Sequence, residues 1–149
     1  MCLGFPHFDP TLELEYVTKK DPTSEFVSTI ETMEDLKSRQ AEVGSNKLVV
    51  LEFWARWSVP SGCVLDSFKE LAQTFTPRAE FYALDVDKSM PVASFYKVES
   101  LPTFVLLRGD NILGKVLGID TEELKDSIEK ALQEEQAAAQ EEHPESANE

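Results

Sequence analysis

Lys47–Trp54 (KLVVLEFW) is apolar at nearly every position. A strand of that kind has no face to give to water, so both of its faces must be covered by other elements. Only the turn-like stretch ARWSVPS separates it from an amphipathic run. There Val64, Leu65, Phe68, Leu71, Ala72 and Phe75 recur at the spacing of one helix face. Pro60 stands near the start of that run, where proline is tolerated, and Pro77 follows its end. A wholly buried strand feeding an amphipathic helix through a tight turn commits the chain to an α/β architecture.

The flanking sequence continues the alternation. Glu25–Ile30 (EFVSTI) predicts a first strand. Thr32 and Asp35 form a capping pattern for a helix through Met33, Leu36, Gln40 and Val43, which Gly44 and Asn46 end. Glu80–Val86 predicts another buried strand and Met90–Val98 a short helix. Thr103–Arg108 and Ile112–Leu117 flank Gly109, Asp110 and Asn111, a hairpin signal. Asp120 and Glu123 open a last helix whose buried face is Leu124, Ile128, Ala131 and Leu132, and Pro144 is expected to stop it. The order β-α-β-α-β-α-β-β-α implies a mixed central sheet of about five strands with helices on both faces.

Three regions follow. Residues 1–24, interrupted by Pro6, Pro10 and Pro22, form an N-terminal extension, within which LELEYV alternates as an edge strand or groove-bound segment would. Residues 25–133 form the domain. Residues 134–149 form an acidic tail with no Lys or Arg, expected to be solvated and disordered at its end.

With 28 acidic against 14 basic residues the net charge is −14, which makes nucleic acid and anionic membrane poor partners. No apolar run approaches the roughly 18–20 residues that span a bilayer. The N-terminus has neither the basic start nor the apolar stretch of a secretory signal, so the expected location is cytoplasmic. The two cysteines, Cys2 and Cys63, make no disulfide framework, and no bond between them is expected. No zinc spacing, phosphate-binding loop or nucleophile elbow is present, so neither a metal nor a cofactor is expected. Arg108-Gly109-Asp110 reads as turn chemistry, and Asp85 with Asp87 as a solvated strand end.

Several motifs carry a family resemblance over roughly Glu25 to Leu132. LEFWARW resembles the strand-end V-D-F-W-A-x-W of thioredoxins. WSVPS stands in the place of their W-C-G-P-C redox motif. SLPT, with Pro102, resembles their cis-proline loop, and RGDNILGKVLG their closing hairpin. The resemblance implies a thioredoxin fold. It also implies an activity whose chemistry is well defined: a thiolate at a helix N-terminus attacks a disulfide, and a second thiol three residues on resolves the intermediate.

This chain departs from that pattern at the reacting atoms. The two thiol positions are Ser58 and Ser61, and a serine hydroxyl forms no disulfide and cannot pass the two electrons of thiol–disulfide exchange. Val59 replaces the family's glycine. Glu52 stands where the family keeps a buried Asp as proton relay, a change also found in relatives of the protein disulfide isomerase type. Ala83 replaces the lysine often set against that acid, so Glu52 is expected to be buried, unpaired and raised in pKa. Asp66 replaces a helix-kinking proline. Cys63 is the remaining thiol near the site. Trp57, Val59, Pro60, Leu101 and Pro102 are the candidate binding rim, with backbone beside Leu101 placed to pair with an extended peptide.

Three functional readings follow. The first is a redox-inactive protein-binding, adaptor or assembly module, of the sort found among chaperone-type factors and in cytoskeletal or axonemal assemblies. The second is a working thiol–disulfide oxidoreductase with both cysteines replaced by serine. The third is a single-thiol redox sensor at Cys63.

Overall fold

The computed structural model describes residues 21–147, and their side chains as far as residue 135. The elements are β1 (Val27–Thr29), α1 (Met33–Val43), β2 (Leu48–Trp54), α2 (Val59–Cys63), α3 (Leu65–Phe75), β3 (Ala79–Asp85), α4 (Met90–Phe95), β4 (Thr103–Arg108), β5 (Asn111–Leu117) and α5 (Thr121–Ala147). The LELEYV segment lies outside the described residues.

The five strands form one sheet in the order β1-β3-β2-β4-β5. β1 and β2 run parallel to β3, while β4 runs antiparallel to β2 and β5 antiparallel to β4. The continuous apolar run takes the central place: all seven residues of β2 are buried. Its side chains alternate between two cores, as the period of a strand requires. Leu48, Val50 and Trp54 join Phe68, Leu71, Leu124 and Ile128 on the face covered by α3 and α5. Val49, Leu51 and Phe53 join Leu36, Val92 and Ala93 under α1 and α4. Phe68 anchors the first core, its ring centroid 5.6 Å from those of both Phe81 and Phe104.

The capping residues act as their sequence positions predict. Thr32 Oγ1 accepts from the Asp35 N–H at 3.0 Å, and Asp120 Oδ1 from the Glu123 N–H at 3.1 Å. Gly109 takes the left-handed conformation (φ 62°) in the hairpin, where a Cβ would meet the Ser45 carbonyl oxygen at 3.2 Å. The neighbouring Arg108 is structural: its guanidinium donates to the carbonyls of Asn46 (3.2 Å) and Ala131 (2.8 Å), tying the hairpin to α5.

Two expectations are corrected. The amphipathic run after the turn is two helices, because Val64 (φ −107°, ψ 1°) caps α2 and opens α3. The final helix does not stop at Pro144 but runs to Ala147. Proline removes a single N–H, and the preceding QAAAQEE is built of strong helix formers, so the last turn carries through.

Candidate functional site

β2 lies between a parallel neighbour and an antiparallel one, and the site lies at its C-terminal end. Trp54 closes the strand, its carbonyl accepting from the Val86 N–H at 3.0 Å. The turn Ala55–Ser58 then leads into α2. Pairing of Phe53 with Thr103 sets the Leu101–Pro102 loop beside this turn, and the Leu101–Pro102 peptide is cis. Sheet register therefore brings together two stretches more than 40 residues apart, at the C-terminal end of a strand, the end where open α/β sheets place their ligands.

The two serines are built into the backbone. Ser58 is the N-cap of α2, and its Oγ accepts from the Ser61 N–H at 3.3 Å. Ser61 Oγ accepts from the Ala55 N–H at 3.4 Å, closing the turn on itself. Ser58 is buried and Ser61 is fully so. The hydroxyls satisfy donors that a short helix otherwise leaves open. Ser58→Ala is expected to lower stability by about 1 kcal/mol, read as a smaller urea midpoint with unchanged slope. An unchanged midpoint would show that the cap contributes nothing.

The rim is partly as expected. Trp57 is 65% exposed and Val59 41% exposed, with Pro60 also open to solvent. Leu101 is half-buried, but Pro102 is buried and so forms floor and not rim. Trp57 is held in place by a bond that sequence reasoning missed, from its Nε1 to Asp87 Oδ2 at 3.0 Å. No local signal links residues thirty positions apart; the site needed β2 and β3 in register to create it. Asp85 Oδ1 accepts from the Asp87 N–H, so the two aspartates shape a strand end. Among the described residues no cluster of three or more His, Cys, Asp or Glu is placed to hold a metal.

Glu52 is fully buried, and its register partners are Ala83 and Phe104. Neither carboxylate oxygen has a hydrogen-bond partner among the described residues. By strand period it belongs to the row of Leu48, Val50 and Trp54, facing the core under α3 and α5. Burial pushes its pKa well above the ordinary carboxylate value, against a smaller downward pull from Lys69. The neutral acid is thus the form the fold accepts.

Cys63 ends α2, half-buried, and the structure corrects two readings of it. It is disulfide-bonded, and the described residues hold no free cysteine. A bond at Cys63 was not expected from sequence, since two cysteines in a chain of this kind make no disulfide framework. The single-thiol sensor at Cys63 is therefore set aside. His7 lies outside the described residues, as does the side chain of His143.

Comparison with known proteins agrees with this architecture. The thioredoxin family model matches residues 28–130. Thioredoxin H4 of Arabidopsis thaliana is 37% identical over 86 residues, covering 58% of this chain and 72% of its own. Thioredoxin-1 of Drosophila melanogaster is 34% identical over 106 residues, covering 71% of this chain and 98% of its own. The solved structure of reduced Schistosoma mansoni thioredoxin pre-protein, 32% identical, covers 70% of this chain and 96% of its own with a TM-score of 0.64. With the family match spanning well over half of its length, this chain belongs to the thioredoxin family.

Proposed function

We propose that this chain is a redox-inactive thioredoxin-like protein that binds a protein partner and performs no dithiol–disulfide exchange. The observation that carries the reading is the pair Ser58 and Ser61, whose hydroxyls are buried and engaged with backbone N–H groups. A hydroxyl ionises far above neutral pH and accepts no electrons, so neither the attacking nor the resolving step of the family reaction has its atom. What survives is shape: an exposed Trp57 and Val59 beside a loop that lies against the end of β2. Such a rim suits an extended, largely apolar segment of a partner. The charge of −14 favours a partner surface that is neutral or basic. The setting we propose is the cytoplasm, with a chaperone or cytoskeletal assembly as the candidate host.

Two measurements test this. In an insulin-reduction assay with thioredoxin reductase, the chain is expected to give no turnover above background; a rate near that of an intact thioredoxin would overturn the reading. Peptides selected on phage against the chain should lose about thirtyfold in affinity on Trp57→Ala, the effect of one interface hot spot. Equal affinity would move the binding surface elsewhere.

A second reading stands because the relatives it resembles carry the name thioredoxin. On that reading the chain is a working oxidoreductase with both cysteines replaced by serine.

A further inference from the structure

The sheet has two edges, and they differ. β1 is a strand of three residues with no exposed large apolar side chain. β5 is seven residues long and ends the order β2-β4-β5, so among the described residues no strand pairs with its outer side. Alternate N–H and C=O groups along that side point outward, where another extended chain can take them up. Ile112 and Leu117 are 53% and 56% exposed. Their register partners on β4 are Leu107 and Thr103, with Lys115 opposite Val105 between them. Residues opposite each other share a face, so Ile112, Lys115 and Leu117 form one row on the α1 and α4 side of the sheet.

Lysine on an edge strand ordinarily discourages pairing. This one is drawn aside. Its Nζ donates to the carbonyls of Tyr96 (2.8 Å) and Lys97 (3.3 Å), where α4 ends and Lys97 takes the left-handed conformation (φ 58°). The contact brings Phe95, 63% exposed and edge-on to the Tyr96 ring at 4.9 Å, to the same flank. The row is therefore two apolar side chains and a positioned ammonium, with Phe95 beside them. Its charge is opposite to that of the chain as a whole. Asp110, at the hairpin tip, is paired with Lys37 at 3.3 Å, which leaves Lys97 and Lys115. Acidic residues resume at Glu99, on the way to the Leu101–Pro102 loop, and at Asp120, past the strand end. Charges more than about 8 Å away are screened at physiological salt. These local lysines, and not the net −14, decide what the edge attracts.

We propose that the outer edge of β5 is a docking site for an extended segment of a partner protein, which adds as a sixth strand and reads apolar-x-acidic-x-apolar. Register gives the pattern. Leu113 is the extra residue of a bulge, so the step from Ile112 to Lys115 on β5 spans only Leu107 to Val105 on β4. A regular strand on the outer side meets the same row at every second residue: apolar against Ile112, acidic against Lys115, apolar against Leu117. The pattern is symmetric and holds for either strand direction. Gly114 lies in the other row, where an added Cβ would meet nothing within 4 Å, so an intervening side chain has room. A second copy of β5 does not fit, since Ile112–Leu117 offers a lysine and no acid, and two chains of −14 repel. The edge is separate from the Trp57 rim, because β4 lies between β5 and β2, and the proposal stands whether or not that rim binds a peptide.

The test is an NMR titration of the full, isotope-labelled chain with the capped peptide Ser-Thr-Val-Thr-Glu-Thr-Val-Thr-Ser, taken to about 1 mM. Backbone amide shifts are expected at residues 111–117. The same peptide with lysine at its centre is expected to bind about tenfold more weakly, and Lys115→Glu to reverse that order. Should Lys115→Glu fail to fold, the two peptides compared on the parent chain decide the point. Methylating alternate backbone nitrogens along one edge of the peptide is expected to abolish binding, and along the other edge to leave it intact. No shift, shifts centred on residues 57–60 or 101–102, equal affinity for the two peptides, or tolerance of methylation on both edges would overturn the proposal. So would a doubled mass with shifts at 111–117 in the concentrated chain alone, which would make a second copy the occupant.

Discussion

Glu52→Met is expected to raise the urea midpoint of this protein, and to raise it more at pH 8 than at pH 5.5. The parent buries a carboxyl group whose two oxygens find no partner among the described residues. Methionine fills similar space with no polar oxygen to desolvate. One part of the gain is independent of pH, because it removes unsatisfied buried oxygens at about 1–3 kcal/mol. The second part depends on pH. The folded-state pKa of Glu52 is raised, and the unfolded chain ionises near the ordinary value of 4.5. Below that value both states hold the proton and ionisation costs the fold nothing. Above it the unfolded state sheds its proton first, so parent stability falls by up to about 1.4 kcal/mol per pH unit until the folded pKa is reached.

Glu52→Gln isolates this second part. The amide is isosteric but does not ionise, so its advantage over the parent should shrink toward zero as pH falls toward 4.5. At pH 8 the Met variant should gain at least about 2 kcal/mol, or roughly 5 °C in melting temperature. Measurements are best kept above the sequence pI of about 4.5, where charge keeps the chain soluble. A parent and Gln variant whose stabilities run parallel across pH would show that Glu52 has found a partner and ionises normally.

The double substitution Ser58→Cys, Ser61→Cys is expected to confer measurable disulfide-reductase activity, yet to stay at least about tenfold below an intact thioredoxin. The gain follows from geometry: position 58 caps α2, position 61 lies one turn on, and the adjoining loop is in place. The shortfall follows from what the two thiols would not restore. Val59 still occupies the turn where the family carries glycine. Glu52 still sits opposite Ala83, a methyl group in place of a cation, so it is a poor relay for the resolving proton. The measurement is insulin reduction with thioredoxin reductase, with the thiol count fixed beforehand by alkylation. A double variant as fast as its relatives would mean the surroundings remain tuned for catalysis. It would favour the reading in which serines were substituted into a working enzyme.

Much of the fold was legible in the sequence because its signals are local. The apolar run of β2, the stripe of α3, the Asp120 cap and the hairpin around Gly109 are each written within a dozen residues. Order and periodicity then leave few architectures, and the motif resemblance selects one. Where the reading failed, the decisive interaction was weak or distant. Val64 breaks a helix that its stripe runs through, because the stripe reports which side is apolar and not whether the axis is continuous. Pro144 did not stop α5, since the loss of one hydrogen bond competes with the propensity of a whole turn.

The site divides the same way. By itself the sequence determined the chemistry: serine at positions 58 and 61 removes the thiols whatever the surroundings, because reactivity belongs to the atoms present. It also named Glu52 as a lone acid, through the family resemblance that places a buried acid at that position and matches Ala83 to the lysine often set against it. Only the tertiary structure decided how those atoms are used. It made the serines a helix cap and a turn closure, pinned Trp57 to Asp87, sank Pro102 into the floor and put Cys63 into a disulfide. The Trp57–Asp87 bond and the placing of Pro102 join segments thirty or more residues apart, which leaves no periodic trace, and the register of β2 with β3 and β4 supplies the nearness that sequence spacing does not.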